Sequence, residues 1–385
     1  MTRFLPLLLC LSFFLPRDLA AQTETEIRNR PDGDYRFTPQ ITLDATPVRN
    51  QGASGTCWSF STLSFLESEL LRQGKGSYDL SEMFVVRHIY PNKVERYVRM
   101  HGNSTLSPGG LFHDVATVFR QHGMVPESVY GGRLVNPDRH QHGELDAVVE
   151  ALGKTLVDQQ KLSPRWREAV AGVLDAYLGT VPETFVYEGE TFTPRSFADA
   201  LDIDPNDYVE FTSFTHHPYY QKMVLEVPDN WDAYRMYNLP LDELVELTRH
   251  ALAEGYTVAW DADVSEPYFS HRDAIAIAPA PSWSELSPRE KKARMNTPGP
   301  ELEVTPELRQ AGFDDLSTTD DHLMHITGLA HDQKGTPYFL VKNSWGESNA
   351  CGGYVYVSEA YFRYKTIHIL VHRDAIPKAI RRKLD

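Results

Sequence analysis

Apolar residues recur at helical spacing in the first third of the chain. Leu63, Leu66 and Leu70 follow the three- and four-residue period of a helix that starts near Cys57, and Gly74 marks its end. The same pattern predicts further helices, one beginning after Leu80 with Ser81 as its N-cap and others over residues 111–122, 144–178 and 241–253.

The last third of the chain changes to short runs of β-branched and aromatic residues. These runs predict strands at Tyr256–Trp260, His325–Leu329, Tyr338–Val341, Gly353–Val357 and Thr366–Val371. A helix-rich first part followed by a strand-rich end predicts an α+β protein with two lobes.

The first residues have the pattern of an export signal. Arg3 precedes the apolar run Phe4–Leu15, and the small residues Ala20 and Ala21 offer a cleavage point. The run is too short to span a bilayer, so we predict that residues 1–21 are removed and that the protein is exported to the periplasm or the extracellular space. A lipid anchor on Cys10 is the less favoured alternative.

The polar residues 22–44 predict a loose N-terminal arm ahead of a main domain over residues 45–385. The 385 residues carry a formal net charge of −15, which argues against nucleic acid or an anionic membrane as the main partner. No later segment resembles a membrane span. The histidines are scattered and show no zinc-binding spacing, so neither a metal nor a cofactor is predicted.

The stretch around Cys57 carries the candidate chemistry. Small residues precede Cys57 at the predicted start of a helix, where the helix dipole and a nearby imidazolium lower a thiol pKa. The Gln51 amide, six positions earlier (57 − 51), can help the Cys57 backbone N–H to stabilise an oxyanion. The competing interpretation is one disulfide between Cys57 and Cys351, since exported proteins commonly pair their cysteines.

A histidine and an asparagine late in the chain could complete this chemistry. His322 or His325 could accept the thiol proton, and the Asn343 amide could hold the imidazole in orientation. The two histidines are three residues apart, so they face opposite sides of a strand and only one of them can serve.

The Gln51…Cys57-Trp58 stretch and the Asn343-Ser344-Trp345-Gly346 stretch resemble the two hallmark motifs of the papain-like cysteine peptidases. The resemblance implies a helical lobe and a β-barrel-like lobe. It implies that Cys57 is the nucleophile, His322 the general base and acid, Asn343 the orienting residue and Gln51 the oxyanion donor. Trp345 would shield the His322–Asn343 pair, and Gly109-Gly110 would form the backbone wall along which a peptide substrate lies.

The spacing of the motifs points to one branch of the papain-like family. Cys57 and His322 are 265 residues apart (322 − 57), against roughly 130–150 in the ordinary papain layout, which predicts a mainly helical insertion at about 135–253. That insertion, which includes the stretch Leu178–Phe185, is similar to the bleomycin hydrolase or aminopeptidase C branch, and so is the stretch His372–Pro377 near the end of the chain. The likeness implies action on peptide N-termini and a hexamer.

Two departures from the branch leave alternatives open. Ser54 stands where the common papain motif has a cysteine, so the usual disulfide of the first lobe is not expected. Only eight residues follow Pro377 (385 − 377), whereas relatives carry a longer arm that enters the cleft. Strict aminopeptidase action and the hexamer are therefore open. An endopeptidase with an open cleft, an acyl transferase and a non-catalytic papain-like scaffold are the alternatives.

Overall fold

The structure is a computed structural model that describes residues 26–384. Its helices are α1 Cys57–Arg72, α2 Glu82–Arg99, α3 Phe112–His122, α4 Gly143–Val157, α5 Trp166–Leu178, α6 Pro194–Leu201, α7 Leu241–Ala253, α8 Pro288–Asn296, α9 Pro306–Asp314, α10 Glu359–Lys365 and α11 Lys378–Arg381. Its strands are β1 Ile27–Arg28, β2 Arg36–Thr42, β3 Phe185–Tyr187, β4 Glu190–Phe192, β5 Tyr208–Thr212, β6 Lys222–Val224, β7 Arg235–Asn238, β8 Val258–Ala262, β9 Phe269–Ser270, β10 Ile275–Ala276, β11 His322–Asp332, β12 Pro337–Lys342, β13 Tyr354–Ser358 and β14 Thr366–His372.

The predicted early helices are confirmed. Helix α1 begins at Cys57, and the chain turns away after it at Gly74, whose φ of 71° lies in the left-handed region. Helix α2 begins after Ser81, whose hydroxyl accepts a hydrogen bond from the Phe84 amide at 3.0 Å, as expected of an N-cap.

The predicted strands belong to one mixed sheet. Among the described residues it has twelve strands, with the path β6-β7-β5-β14-β8-β11-β12-β13-β10-β9 and with β2 and β1 joined to β11. One edge of β11 is shared by two partners, because residues 322–326 pair with β8 and residues 328–332 pair with β2. This central strand places His322 at the end of the sheet that meets the helices.

The two expected lobes correspond to two buried apolar clusters, one formed mainly by helices and one mainly by the sheet. Helix α1 lies at the junction between them. Ser61 Oγ in α1 donates to the carbonyl oxygen of Met324 in β11 at 2.5 Å. The start of α1 and the start of β11 are thus held side by side, at the boundary where a cleft can form.

The middle region differs in detail from the prediction. Helices α4 to α7 predominate there, but the single helix expected over residues 144–178 is two helices, interrupted before Trp166. Pro164 explains the break, because proline lacks the amide hydrogen that a helix interior needs and disfavours helical geometry at Ser163. Strands β5, β6 and β7 of this region also join the main sheet, so the insertion extends the strand-rich lobe.

The expectation of a loose N-terminal arm is wrong for residues 26–44. Strand β2 pairs antiparallel with β11, and Tyr35 and Phe37 are fully buried. The Phe37 ring stacks on Tyr356 with centroids 3.8 Å apart. These two aromatic residues bury enough apolar surface to fix the segment, whatever the polarity of its neighbours.

The predicted signal at residues 1–21 lies outside the described residues. Within residues 26–384, no helix combines the length and the apolar composition that a bilayer span needs.

Candidate active site

Cys57 is the first residue of α1 and faces a cleft between the two lobes. The cleft has a volume of about 490 Å³, and Cys57, Gln51, Gly109, His322 and Trp345 all line it. The Cys57 amide belongs to the first helical turn, whose N–H groups have no partner within the helix and carry the positive end of the dipole. The thiol therefore lies where a developing negative charge is stabilised.

The next residue anchors the start of α1 to the segment that contains Pro108, which also lines the cleft. The Trp58 side chain is fully buried, and its Nε1 donates to the carbonyl oxygen of Pro108 at 3.1 Å. A Cβ atom on Gly110 would approach the Trp58 ring to 3.0 Å and an Asp114 carboxylate oxygen to 2.6 Å. Glycine at position 110 thus lets the 107–110 segment pass over the indole, while Gly109 itself reaches the cleft.

His322 and Asn343 form the hydrogen bond that the sequence analysis predicts. The Oδ1 atom of Asn343 lies 2.7 Å from His322 Nε2 and also accepts from the Ser344 amide at 2.7 Å. Because the Ser344 amide can only donate, Oδ1 is an acceptor for both partners and Nε2 carries the hydrogen in neutral His322. The other ring nitrogen, Nδ1, is left unprotonated and can accept a proton.

Trp345 covers this pair. Its ring stacks on the His322 imidazole with centroids 4.6 Å apart and an interplanar angle of 29°. His322 is only 3% exposed and Asn343 only 2%. With water kept away, the hydrogen bond between His322 and Asn343 is stronger than it would be in solvent.

Gln51 is fixed from two sides. Its Oε1 accepts from Ser344 Oγ at 2.6 Å, and its Nε2 donates to the carbonyl oxygen of Ser54 at 2.8 Å. An amide nitrogen has two hydrogens, so one remains for a ligand in the cleft. The Ser344 contact also ties Gln51 to the segment that carries Asn343, so the two predicted groups are positioned together.

His325 does not reach the cleft. Its Nδ1 lies 2.9 Å from Ser64 Oγ, and the residue pairs across the sheet with Lys342. It lines a separate small cavity on the other face of β11, together with Glu67. His322 and Cys57 line the same cleft, whereas His325 lines the other cavity, which agrees with the two histidines facing opposite sides of β11.

Burial shifts the pKa values of Cys57 and His322. It raises the pKa of the Cys57 thiol to about 12, with smaller contributions from the carboxyl groups of Asp261, Asp229 and Asp320. It also lowers the pKa of His322 to about 4. Burial thus favours the neutral form of each group taken separately, whereas the attraction between a thiolate and an imidazolium favours the charged pair.

One residue of the site gave no signal in the sequence. His271 lies between β9 and β10, with its Nδ1 3.2 Å from Asn343 Nδ2 and its ring edge against Trp345 at a centroid distance of 5.4 Å. It therefore supports the side of Asn343 that faces away from His322. Only the long-range pairing of the strands brings it there.

The disulfide interpretation of Cys57 is wrong, because both Cys57 and Cys351 are free. Cys351 packs at the edge of the sheet cluster, and burial raises its pKa to about 11. Among the described residues, the ligand atoms of His216, His217 and Glu226 lie within 4.8 Å of one another. Each of these histidines pairs with a Glu226 oxygen, and none of the three residues lines the cleft.

Comparisons with known proteins agree with this geometry. The sequence model described as "Papain family cysteine protease" matches residues 34–144, and that described as "Peptidase C1-like family" matches residues 303–385. Aminopeptidase C of Streptococcus thermophilus is 24% identical over 397 residues, which cover 91% of this chain and 84% of the relative. Aminopeptidase G of Lactobacillus delbrueckii subsp. lactis is 22% identical over 390 residues, which cover 89% of this chain and 84% of the relative.

Among solved structures, the crystal structure of PepW from Lactobacillus rhamnosis HN001 superposes with a TM-score of 0.69. The two sequences are 21% identical, and the match covers 90% of this chain and 84% of that one. The two chains therefore share a fold, including the region inserted between the motifs.

Proposed function

Since the chain belongs to the papain-like cysteine peptidases, in the aminopeptidase C branch, we propose that it hydrolyses peptide bonds near free N-termini through an acyl-enzyme on Cys57. The hydrogen-bond arrangement at His322 carries the assignment of roles. Asn343 and the Ser344 amide fix the imidazole hydrogen on Nε2, which leaves Nδ1 as the proton acceptor in the cleft that Cys57 lines.

The first half of the reaction forms the acyl-enzyme. The thiol proton of Cys57 passes to His322 Nδ1 as the sulfur attacks the substrate carbonyl carbon, and the carbonyl π electrons move to oxygen. The Cys57 amide and the free Gln51 Nε2–H donate hydrogen bonds to that oxyanion. The intermediate collapses with cleavage of the C–N bond, and the imidazolium gives its proton to the leaving amine.

The second half releases the acid product. A water molecule gives a proton to His322 Nδ1 and attacks the thioester carbon. The second tetrahedral intermediate expels the sulfur, which recovers the proton from His322. Burial makes both the lone thiolate and the lone imidazolium costly, and their formation as a pair offsets much of that cost because opposite charges attract in a low dielectric.

A substrate comparison with matched variants tests this function. Purified protein should hydrolyse aminoacyl fluorogenic amides, Cys57→Ala should abolish the activity, and Cys351→Ala should retain it because Cys351 lies outside the cleft. Full activity in the Cys57→Ala variant would exclude the proposed nucleophile. Product analysis with an added amine would distinguish hydrolysis from acyl transfer.

Endopeptidase action is a second candidate, favoured by the position of the last described residues. Lys383 Nζ donates to Glu243 Oε1 at 2.7 Å, and Leu384 packs at the edge of the sheet cluster. Neither residue lines the cleft. If the protein is an endopeptidase, it should cleave an N-blocked peptidyl amide at least as fast as the matching free-amine substrate.

Export is part of the proposal and rests on the pattern of residues 1–21. Expression of the full chain followed by fractionation should place the mature protein outside the cytoplasm, with a new N-terminus near Gln22. A cytoplasmic protein that keeps Met1–Ala21 would contradict it. The assembly state stays a prediction, and light scattering of the purified protein decides between a hexamer and a smaller species.

A further inference from the structure

The Asp229 carboxylate, from the middle region of the chain, lies over Gly109 in the predicted substrate wall. A Cβ atom built on Gly109 would lie 1.7 Å from Oδ2 of Asp229 and 2.3 Å from its Cγ. Asp229 belongs to the loop between β6 and β7, and it lines the cleft that holds Cys57 and His322. Its side chain therefore occupies the space directly over the Gly109 backbone.

A hydrogen bond from Ser107 positions this carboxylate. Ser107 Oγ donates to Asp229 Oδ1 at 2.8 Å. Beneath the same segment, the buried Lys93 Nζ donates to the carbonyl oxygens of Ser107 and Gly109. Hydrogen bonds with Lys93 and Asp229 thus hold the 107–109 segment in place. Among the described residues, Asp229 Oδ2 has no hydrogen-bond donor of its own.

Two other acidic residues, Asp320 and Asp321, line the cleft. Asp321 accepts hydrogen bonds from the Val264 and Ser265 amides and from Thr319 Oγ1. Within the described part of the chain, Asp320 Oδ2 has no hydrogen-bond partner but is buried, and burial and the neighbouring Asp261 raise the pKa of Asp320 well above its ordinary value. The residues that line the cleft include no lysine and no arginine. Of the three acids, Asp229 is thus the one whose unpartnered oxygen is accessible to a positively charged group.

We propose that Asp229 binds the α-ammonium group of the substrate and ends the part of the cleft that holds residues N-terminal to the scissile bond. This inference rests on the proposed peptidase function and names its substrate class, peptides with a free N-terminus. In this proposal the Asp229 side chain, which occupies the space over Gly109, blocks a substrate backbone that would continue along the wall. The same carboxylate thus supplies both the steric stop and the complementary charge.

A charge-only substitution tests the ammonium contact. Asp229→Asn keeps the shape of the side chain and the acceptor for Ser107 but removes the charge. The ratio of kcat/KM for a free-amine aminoacyl amide to that for its N-acetylated form should fall by about ten- to a hundredfold, as expected for a hydrogen bond to a charged group. Asp158→Asn, which makes the same charge change at an exposed site at the end of α4, should leave that ratio unchanged.

A second variant tests the stop. Asp229→Gly should increase cleavage of N-blocked peptides that extend several residues before the scissile bond, relative to Asp158→Asn. An unchanged substrate ratio in Asp229→Asn, or no gain on extended blocked peptides in Asp229→Gly, would overturn the proposal. Wild-type protein that hydrolyses neither type of substrate would instead contradict the proposed peptidase function.

Discussion

Asn343 Oδ1 lies 2.7 Å from His322 Nε2, and the Ser344 amide fixes the direction of that hydrogen bond. A single side-chain amide therefore decides which imidazole nitrogen can act as a base. Loss of the amide would leave His322 free to rotate and to adopt the wrong tautomer, with Cys57 still in place.

Asn343→Ala should lower kcat by about 10²-fold, because an incorrectly oriented base contributes little proton transfer. KM for an aminoacyl amide should change little, since Asn343 is buried behind Trp345. Steady-state kinetics over a range of pH would measure both parameters. A kcat within twofold of the wild-type value, in a variant with unchanged circular dichroism, would show that the hydrogen bond is structural only.

Cys57 and His322 should act as a unit. Cys57→Ala and His322→Ala should each reduce kcat/KM by roughly 10⁴-fold or more, and the double variant should lose no more than either single variant. The measurement is a double-mutant cycle on one fluorogenic substrate. Additive losses would indicate that the two residues contribute independently, against the proton transfer derived above.

Trp345→Ala should move the acid limb of the kcat/KM profile to higher pH. Desolvation holds the pKa of His322 down at about 4, and the neutral base is needed for activity. Access of water to the imidazole stabilises its charged form, so the pKa rises toward its ordinary value and activity is lost at a higher pH. An acid limb at the wild-type position would show that Trp345 does not keep the ring desolvated.

A buried ion pair at the lobe boundary should make stability depend on pH. Burial alone would lower the pKa of His113, but Glu210, 3.3 Å from its Nδ1, and Asp232 raise that pKa well above the ordinary value. His113 in turn lowers the pKa of Glu210 to about 2, against the effect of burial. The pair is therefore charged in mildly acidic solution.

The sign of the pH effect follows from these directions. His113 contributes stability that is complete below its unfolded pKa of about 6.5 and is lost as the pH rises through the folded value. Glu210 contributes stability that is complete above its unfolded pKa of about 4.3 and is lost as the pH falls through the folded value of about 2. His113→Gln should cost about 3–5 kcal/mol at pH 5 and less at pH 9. Urea unfolding of the wild-type protein and of His113→Gln at the two pH values measures this loss of stability. An equal loss at both pH values would contradict the charged pair.

Phe37→Ala should destabilise the protein by about 3–5 kcal/mol, because the ring is fully buried and stacked on Tyr356. Glu26→Ala, on an exposed residue in the same segment, serves as the control. Thermal unfolding would show whether the N-terminal segment is integral to the fold. A change below 1 kcal/mol for Phe37→Ala would support a loose arm instead.

The parts of the site that lie in short motifs could be predicted from the sequence. Gln51 and Cys57 are six residues apart at a helix start, and Asn343 directly follows a strand, so local patterns place all three. His271 could not be predicted, because it reaches Asn343 only through the pairing of β9, β10 and β13 across the sheet. Asp229 could not be predicted either, because its loop connects β6 and β7, which reach the main sheet through β5.

In the fold, too, features set by local patterns could be predicted, and features set by long-range contacts could not. The helices and the late strands follow from periodicity, but the burial of β2 and the joining of β5, β6 and β7 to the main sheet depend on partners far away in the sequence. The break at Pro164 is a local signal that helical periodicity alone overlooks. The raised pKa of Cys57 depends on how deeply the thiol is buried, which no motif specifies.

Trapping of the acyl-enzyme would show whether Cys57 is the nucleophile. The protein is mixed with an activated aminoacyl ester, quenched in acid and digested, and the acylated peptide is identified by mass spectrometry. We expect one acyl group as a thioester on Cys57, absent from Cys57→Ala and much reduced in His322→Ala. Turnover of the ester with no acyl group on Cys57, or with the group on Cys351, would contradict it.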